Sequence, residues 1–416
     1  MAGDERIVIV GAGAGGLRAA ERLRELNFDG ELVIIGDESR RPYHRPAISK
    51  HLVAGTTRPA ELVLKVNIEL DARWRFGTRA TRLETGRRLV HLPGGEEMRY
   101  DGLIIATGVQ PRHLIGAPRH DPRVRVLRTV DDALAIRAAL AASDRPAVVI
   151  GGGLIGSEFA ASMRQIGRDV TLVGHGRAAL HRLGPRVSKA VTEQHHRHRA
   201  GIVMSTLVRH WITTKHAVGL HLTNNQLLVA SVVVLAIGSV PAVDWLRGSG
   251  LNLEDGILCD ASLYAEGADD VVVAGDAARW PNLRFDEVPR RVEHWLNAVE
   301  SGRAAAENLL AGRSRSEPYL PMPRAWSTQY GVRMQFAGIP SLGEDTVALG
   351  DGITGYVRGG QLVGICGWDR PKAMLRWTAE LERRLPIPLS LPVHQEPFPR
   401  NPAIPSISAL AAELPG

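Results

Sequence analysis

Arg6-Ile-Val-Ile-Val10 runs straight into Gly11-Ala-Gly13-Ala-Gly15-Gly16, and the same design returns at Ala147-Val-Val-Ile150 followed by Gly151-Gly-Gly153-Leu-Ile155-Gly156. Each copy continues into a helical stretch, to about Leu26 and about Ile166, and then into a second apolar run, Leu32-Val-Ile-Ile35 and Val170-Thr-Leu-Val173. This is a β-α-β unit with glycines at its first turn, written twice. The first glycine permits the tight turn, the second lets backbone approach a pyrophosphate, and the third lets helix and strand pack closely. An anion at that turn meets free N–H groups and the positive end of the helix dipole. One such fingerprint is a weak signal, because a glycine-rich turn needs no ligand. Two, each between a strand and a helix, imply two bound dinucleotides.

Outward from these units, Asp101-Gly-Leu-Ile-Ile-Ala-Thr-Gly108 reads as a short buried strand ending in small residues, and Val232-Val-Val-Leu-Ala-Ile-Gly238 repeats it after the second unit. Val271-Val-Val-Ala-Gly-Asp276 is a further strand closed by a carboxylate. From about Tyr319 the sequence turns aromatic and proline-rich, with strand-like Met334–Gly338 and Leu362–Cys366. We therefore expect an α/β chain with two Rossmann-like domains and a small C-terminal α+β domain. The expected bounds are 1–113 and 237–319 for the two parts of the first dinucleotide domain, 114–236 for the second, 320–395 for the C-terminal domain and 396–416 for an extended tail.

The bulk properties agree. At roughly 100–200 residues per domain, 416 residues suffice for several cores, and 44% hydrophobic with 23% charged residues is ordinary globular composition. The net charge of +7 and pI near 9.8 favour acidic partners. The basic residues are dispersed rather than blocked, so nucleic acid is not expected. Only Cys259 and Cys366 are present and no Cys-x-x-Cys occurs, so a local dithiol is excluded as the redox centre and a reducing compartment fits. No apolar run approaches the roughly 18 residues of a membrane span, and strand-like sequence begins at once. A soluble, cytoplasmic protein is the expectation. The 15 histidines include His195-His196-Arg197-His198, which without accompanying carboxylates or cysteines reads as a polar helical face rather than a metal site. No Ser-His-Asp arrangement stands out.

Several motifs in order carry a family resemblance. They are Gly36-Asp37-Glu38 with Arg41-Pro-Tyr-His-Arg45-Pro46 and Ser49-Lys50; Ala106-Thr107-Gly108 with Pro111-Arg112; Leu127-Arg128-Thr129 with Asp132-Ala133; Ala274-Gly275-Asp276; Arg291-Val-Glu293-His-Trp295; and Trp326-Ser-Thr-Gln329. Over roughly 6–395 the chain resembles the FAD-dependent, NAD(P)H-dependent ferredoxin reductases that serve bacterial cytochrome P450s and ring-hydroxylating dioxygenases, with a glutathione-reductase-like fold. From the residues alone, Asp37 follows the second strand of the first unit, where a carboxylate accepts from ribose hydroxyls. Arg45 and Lys50 put positive charge where a reduced flavin would need it. The resemblance adds that Lys50 lies beside the flavin paired with Glu158, and that Asp276 holds the ribityl chain. It also makes Gly11, Gly13, Gly15, Gly16, Ala80, Thr107, Gly108, Arg112, Arg128, Gly275, Glu293, Trp295 and Trp326 FAD contacts. The nicotinamide contacts would be Gly151, Gly153, Ile155, Gly156, Gly238, His175, Arg177 and Arg182. Hydride would pass from the nicotinamide to the flavin, and electrons singly to an acidic iron–sulfur ferredoxin, with Lys50 and Glu158 tuning the exchange. The protein would be a monomer or homodimer.

Three departures bear on this. Relatives that prefer NADH carry an acidic residue after the second strand of the nicotinamide unit, whereas this chain has Gly174, then His175-Gly176-Arg177, with Arg182 nearby. Loss of the carboxylate and gain of cations favour NADPH; NADH, or a site that no longer holds a nicotinamide, stays open. Thr328 stands where relatives have aspartate, and Asn224-Asn225 replaces an expected Asp-Gly. An enzyme acting directly on a small organic substrate is the alternative function. A flavin-bearing binding protein resembling apoptosis-inducing factor is the third.

Overall fold

The computed structural model describes residues 5–384 apart from Asn67 and Asp351. The stretch 385–395 and the tail expected over 396–416 lie outside the described residues. Six α-helices occur among them: α1 (Ala14–Glu25), α2 (Val130–Ala141), α3 (Leu154–Gln165), α4 (Gly184–Arg197), α5 (Trp295–Ala311) and α6 (Pro371–Arg384).

The apolar runs become two five-stranded parallel sheets of one design. The first runs in the order Val271–Val273, Gly102–Ile105, Arg6–Val10, Glu31–Gly36, Ala72–Phe76. The second runs Val124–Val126, Val232–Leu235, Ala147–Ile150, Val170–Val173, Gly201–Val203. Each glycine motif thus leaves the central strand of its sheet. The three inner strands of each sheet are rich in Val, Ile and Leu because helices or other strands cover both faces, and Ile7, Ile9, Val149 and Val234 have at most 1% exposure. The repeat extends beyond the stretch in which it was legible, since Val124–Val126 occupies in the second sheet the edge that Val271–Val273 occupies in the first.

The two turns match atom for atom. Gly11 and Gly151 have φ of +124° and +122°, and a Cβ on either would lie 2.2 or 2.1 Å from the carbonyl oxygen of Ala106 or Ala236. A Cβ on Gly16 or Gly156 would sit 1.9 Å from the carbonyl oxygen of Gly11 or Gly151. Gly13 and Gly153 differ: a Cβ there meets nothing within 4 Å. The chain itself therefore requires the outer glycines, while the middle one leaves space.

A third, antiparallel sheet runs in the order Arg324–Gln329, Val332–Gly338, Gln361–Trp368, Thr354–Arg358, Asp345–Ala348. Helix α6 lays Met374, Trp377 and Leu381 onto it in a separate core. The first hairpin turns through Tyr330 and Gly331, both with positive φ, the geometry two-residue hairpin loops demand. Its tip is latched to α4. The Tyr330 hydroxyl lies 2.7 Å from His195 Nδ1, and the Tyr330 ring stacks on His198 at 3.9 Å. The expectation of a polar face over His195–His198 is corrected here. His196 and Arg197 are exposed, but His195 is fully buried, because helical spacing from Val191 turns it inward. No helix among the described residues is long and apolar enough to cross a membrane.

Two outcomes follow from this packing. Gly16→Ala should lower stability by about 3 kcal/mol or more, whereas Gly13→Ala should leave the melting temperature of the apoprotein unchanged; thermal unfolding of both checks the contrast. Burial pushes His195 down to about 4, so its neutral form is worth most above pH 6.5, and its contribution is lost as pH falls from about 6.5 towards 4, where the unfolded chain takes up the proton first. His195→Asn should flatten the fall in melting temperature across that window relative to wild type.

Candidate functional site

A cavity of about 580 Å³ opens where the first glycine turn, the segment Arg41–Lys50, the start of α5 and the first residues of α3 face one another. Gly11, Gly13 and Gly15 form one wall, Asp37 stands just after the strand Glu31–Gly36, and Ala80 follows the neighbouring strand Ala72–Phe76. Thr107 and Gly108, then Gly275 and Asp276, come from the carboxyl ends of two neighbouring strands. Such crevices beyond the carboxyl ends of parallel strands are where ligands of these sheets bind. Arg45, Lys50, Arg128, Glu293, Trp295 and Trp326 complete the lining, with Ile155 and Glu158 from the second unit.

The charges are arranged in two groups. At one end Arg45 donates to Glu38 at 2.6 Å and to the Arg128 carbonyl at 2.8 Å, while the Tyr43 hydroxyl donates to the other Glu38 oxygen. Burial opposes the charge on Arg45, but Tyr43 and Glu38 outweigh it and raise its pKa. Arg128 is lowered by burial and by the neighbouring Arg45. Asp276 is raised by burial, with Arg128 opposing at 3.6 Å. The two partly exposed guanidiniums are matched by two carboxylates, Glu38 and Asp276, so the cluster offers a diphosphate fixed charged donors rather than a net positive charge.

At the other end Glu158 is only 3% exposed and is held by three side chains from two distant parts of the chain. Lys50 Nζ lies 2.8 Å from Oε1, the Ser49 hydroxyl donates to Oε2 at 2.6 Å, and the Ser327 hydroxyl donates to Oε1 at 2.7 Å. Lys50 also donates to the Pro46 carbonyl at 3.1 Å, and Gln329 Nε2 donates to Ser327 Oγ at 3.2 Å. A buried ion pair is tolerable only when its spare donors and acceptors are satisfied in this way. His44 packs edge-on to Trp295 at 5.0 Å, and burial lowers the pKa of both His44 and His294.

The fit of an FAD to this cavity can be tested on its own atoms. Thr107 Oγ1 and Trp245 Nε1 line it, are buried, and have no hydrogen-bond partner. Buried donors of that kind cost about 1–3 kcal/mol unless something satisfies them. The open space at Gly13, the paired cations and the orphaned donors all suit a large polyhydroxy diphosphate ligand. Asp37 is 67% exposed and makes a long, exposed ion pair with Arg79 at 4.0 Å, an arrangement that leaves room for a ribose hydroxyl at the carboxylate.

The remaining expected residues lie elsewhere. Gly16 is buried at the start of α1. Arg112 lines a second cleft of about 320 Å³ with Ser239, Asp244 and Asp255. The pairing of Val109–Pro111 with Ser239–Pro241 turns it there, and its N–H donates to the Gly238 carbonyl at 2.9 Å. Gly151, Gly153 and Gly156 form the turn of the second sheet, and His175, Arg177 and Arg182 are exposed beside it. Ser49, Ser327, Tyr43, Glu38 and Trp245 take part in the site without having been singled out. Ser49 and Ser327 sat inside quoted motifs, but nothing local marks a serine as the partner of a carboxylate more than a hundred residues away.

The model of the pyridine nucleotide-disulphide oxidoreductase family matches residues 5–302. The chain is 33% identical to the ferredoxin–NAD(+) reductase component of an anthranilate 1,2-dioxygenase system from Burkholderia cepacia, over 83% of this chain and 84% of that one. It is 31% identical to a putidaredoxin reductase from Pseudomonas putida, over 93% and 94%. A covalent putidaredoxin reductase–putidaredoxin complex superimposes with a TM-score of 0.85 at 27% identity, covering 92% of this chain and 94% of that chain. With its two glycine turns, its paired sheets and these matches, the chain belongs to the pyridine nucleotide-disulphide oxidoreductase family.

Proposed function

We propose that this protein is an FAD-dependent reductase that takes hydride from NAD(P)H and passes the electrons to an iron–sulfur ferredoxin of an oxygenase system. The observation that carries this reading is the Lys50–Glu158 pair, set into the wall of the cavity at the junction with the second dinucleotide unit. FAD, when bound, supplies the conversion of a two-electron hydride into single electrons. The chain's residues bind and orient. The Gly11–Gly16 turn offers backbone to the pyrophosphate, Arg45 and Arg128 offset its charge, Asp37 accepts from ribose hydroxyls, and Asp276 accepts from the ribityl chain. Lys50 places a fixed cation at the cavity wall, and Glu158 holds that ammonium in place against solvent.

The cysteines take no part. Cys259 and Cys366 are free, buried and in different cores, and burial raises both thiols. A thiolate at either position would be unstable and inaccessible, so the disulfide chemistry in the family's name does not run here. The net charge of +7 suits the encounter with an acidic ferredoxin, raising on-rate more than affinity.

The test is anaerobic stopped-flow reduction of the purified protein, following flavin bleaching with NADH and NADPH, and then reduction of an added [2Fe–2S] ferredoxin by its visible absorbance. Bleaching by either nucleotide followed by ferredoxin reduction is expected. A flavin bleached by dithionite but by neither nucleotide would overturn the reading and point to an organic substrate. Gly13→Ala should fold yet lose most of its flavin, measured as the ratio of absorbance at the flavin maximum to that at 280 nm. Glu158→Gln leaves a buried ammonium unpaired and should cost about 3 kcal/mol of stability with at least a roughly tenfold slower bleaching. Ser327→Ala, which removes one of the bonds on Glu158, should cost about 1 kcal/mol; melting curves and single-turnover rates check both.

A further inference from the structure

The loop after the second strand of a dinucleotide unit is where the adenosine ribose is read. In the first unit that place holds Asp37. In the second it holds Gly174, packed closely enough that a Cβ there would lie 3.0 Å from Met204 Sδ and 3.4 Å from the Gly152 nitrogen, so a larger residue would have to push the Met204 side chain aside. Between Asp169 and Glu193 the chain has no acidic residue, yet it has His175, Arg177, His181, Arg182, Arg186 and Lys189. His175, Arg177, His181 and Arg182 are exposed. Among the described residues, neither Arg177 nor Arg182 has a carboxylate partner.

The loop is also held in shape. The Leu180 N–H donates to the Gly152 carbonyl at 2.8 Å, which ties the loop directly to the glycine turn. Leu180 does this with a φ of +51°, a left-handed conformation that costs a residue with a Cβ about 1–2 kcal/mol. The Ser188 hydroxyl donates to the Ala179 carbonyl at 2.7 Å, and the Ser205 N–H to the Gly176 carbonyl at 2.9 Å. The His181 ring lies across Gly176, where a Cβ would come within 2.4 Å of its Nδ1, and meets the His175 ring edge-on at 6.2 Å. The result is a strained, fixed, cationic loop with no acidic side chain, where the first unit has a carboxylate.

We infer that this loop is a subsite for a 2′-phosphorylated adenosine, and that Arg177 and Arg182 make the protein select NADPH over NADH; the inference rests on reading the second unit as the nicotinamide site. A phosphate monoester is dianionic and matches the guanidinium fork, whereas the free 2′-hydroxyl of NADH finds no carboxylate to accept its hydrogen bond.

The test is isothermal titration of the FAD-loaded protein with adenosine 2′,5′-bisphosphate and with adenosine 5′-monophosphate. The bisphosphate should bind about 10- to 100-fold tighter, the value of one or two charge-assisted bonds. Arg177→Ala and Arg182→Ala should each shrink that ratio, and the double variant should abolish it. The flavin spectrum and melting temperature of each variant report that the fold is kept. Equal binding of the two nucleotides, or a preference that survives the double variant, overturns the inference. Fast flavin bleaching by NADH together with equal nucleotide binding would sink the subsite and leave the reductase standing. A bisphosphate preference that depends on Arg177 and Arg182, without bleaching by either nicotinamide, would uphold the subsite and sink the reductase.

Discussion

The carboxylate of Glu158 is the point on which the site depends. A charge that is only 3% exposed cannot persist without partners, and its partners come from places far apart in sequence: Ser49 and Lys50 before it and Ser327 after it. The same α3 turn that bears Glu158 bears Ser162, whose hydroxyl donates to the Ser49 carbonyl at 3.0 Å. The first unit, the second unit and the C-terminal sheet therefore meet at one buried ion pair. Its Lys50 end forms part of the cavity wall, so the geometry of that wall is set by all three at once. The hairpin that supplies Ser327 is anchored independently through Tyr330 and His195, which fixes the strand before any ligand arrives.

The two dinucleotide units share a backbone and differ in their surroundings, and under the function proposed above that difference divides their labour. At the first turn α5 crosses α1 so closely that a Cβ on Gly302 would lie 2.3 Å from the Gly15 carbonyl oxygen. Small side chains, including Ala19, Ala20, Ala305 and Ala306, make this approach continuous. The N-terminus of α5, with Trp295 at its first position, is thereby brought over the cavity. A ligand held by walls on several sides leaves slowly, as a resident cofactor should. The second turn instead faces the loop from Gly174 to Arg182, whose His175, Arg177, His181 and Arg182 are exposed. An open, charged platform suits a dinucleotide that must arrive, react and depart in each cycle.

The amino-acid sequence by itself determined the two β-α-β units, because the turns require glycine for steric reasons that act within a few residues: the positive φ of Gly11 and Gly151 and the contact that excludes a Cβ at Gly16 and Gly156. It likewise determined the buried strands, since parallel strands covered on both faces must be continuously apolar, and the lack of a redox dithiol. Asp37 could be placed from the local pattern, since it follows the second strand of the first unit, whereas Arg45, Asp276 and Trp295 stood out through motifs that resemble the family; all four line the cavity. Tertiary structure alone decided the rest. It made His195 a buried partner of Tyr330 rather than part of a polar face, since the returning hairpin packs against that residue of α4. It moved Arg112 to a neighbouring cleft, since the pairing of Val109–Pro111 with Ser239–Pro241 sets the direction of its side chain. It also chose Ser49 and Ser327 as the donors to Glu158, for a hydroxyl carries no local sign of its acceptor when the two are 109 or 169 residues apart. Steric rules are local and can be read from a few letters; desolvation and long-range hydrogen bonding depend on what the folded chain brings near.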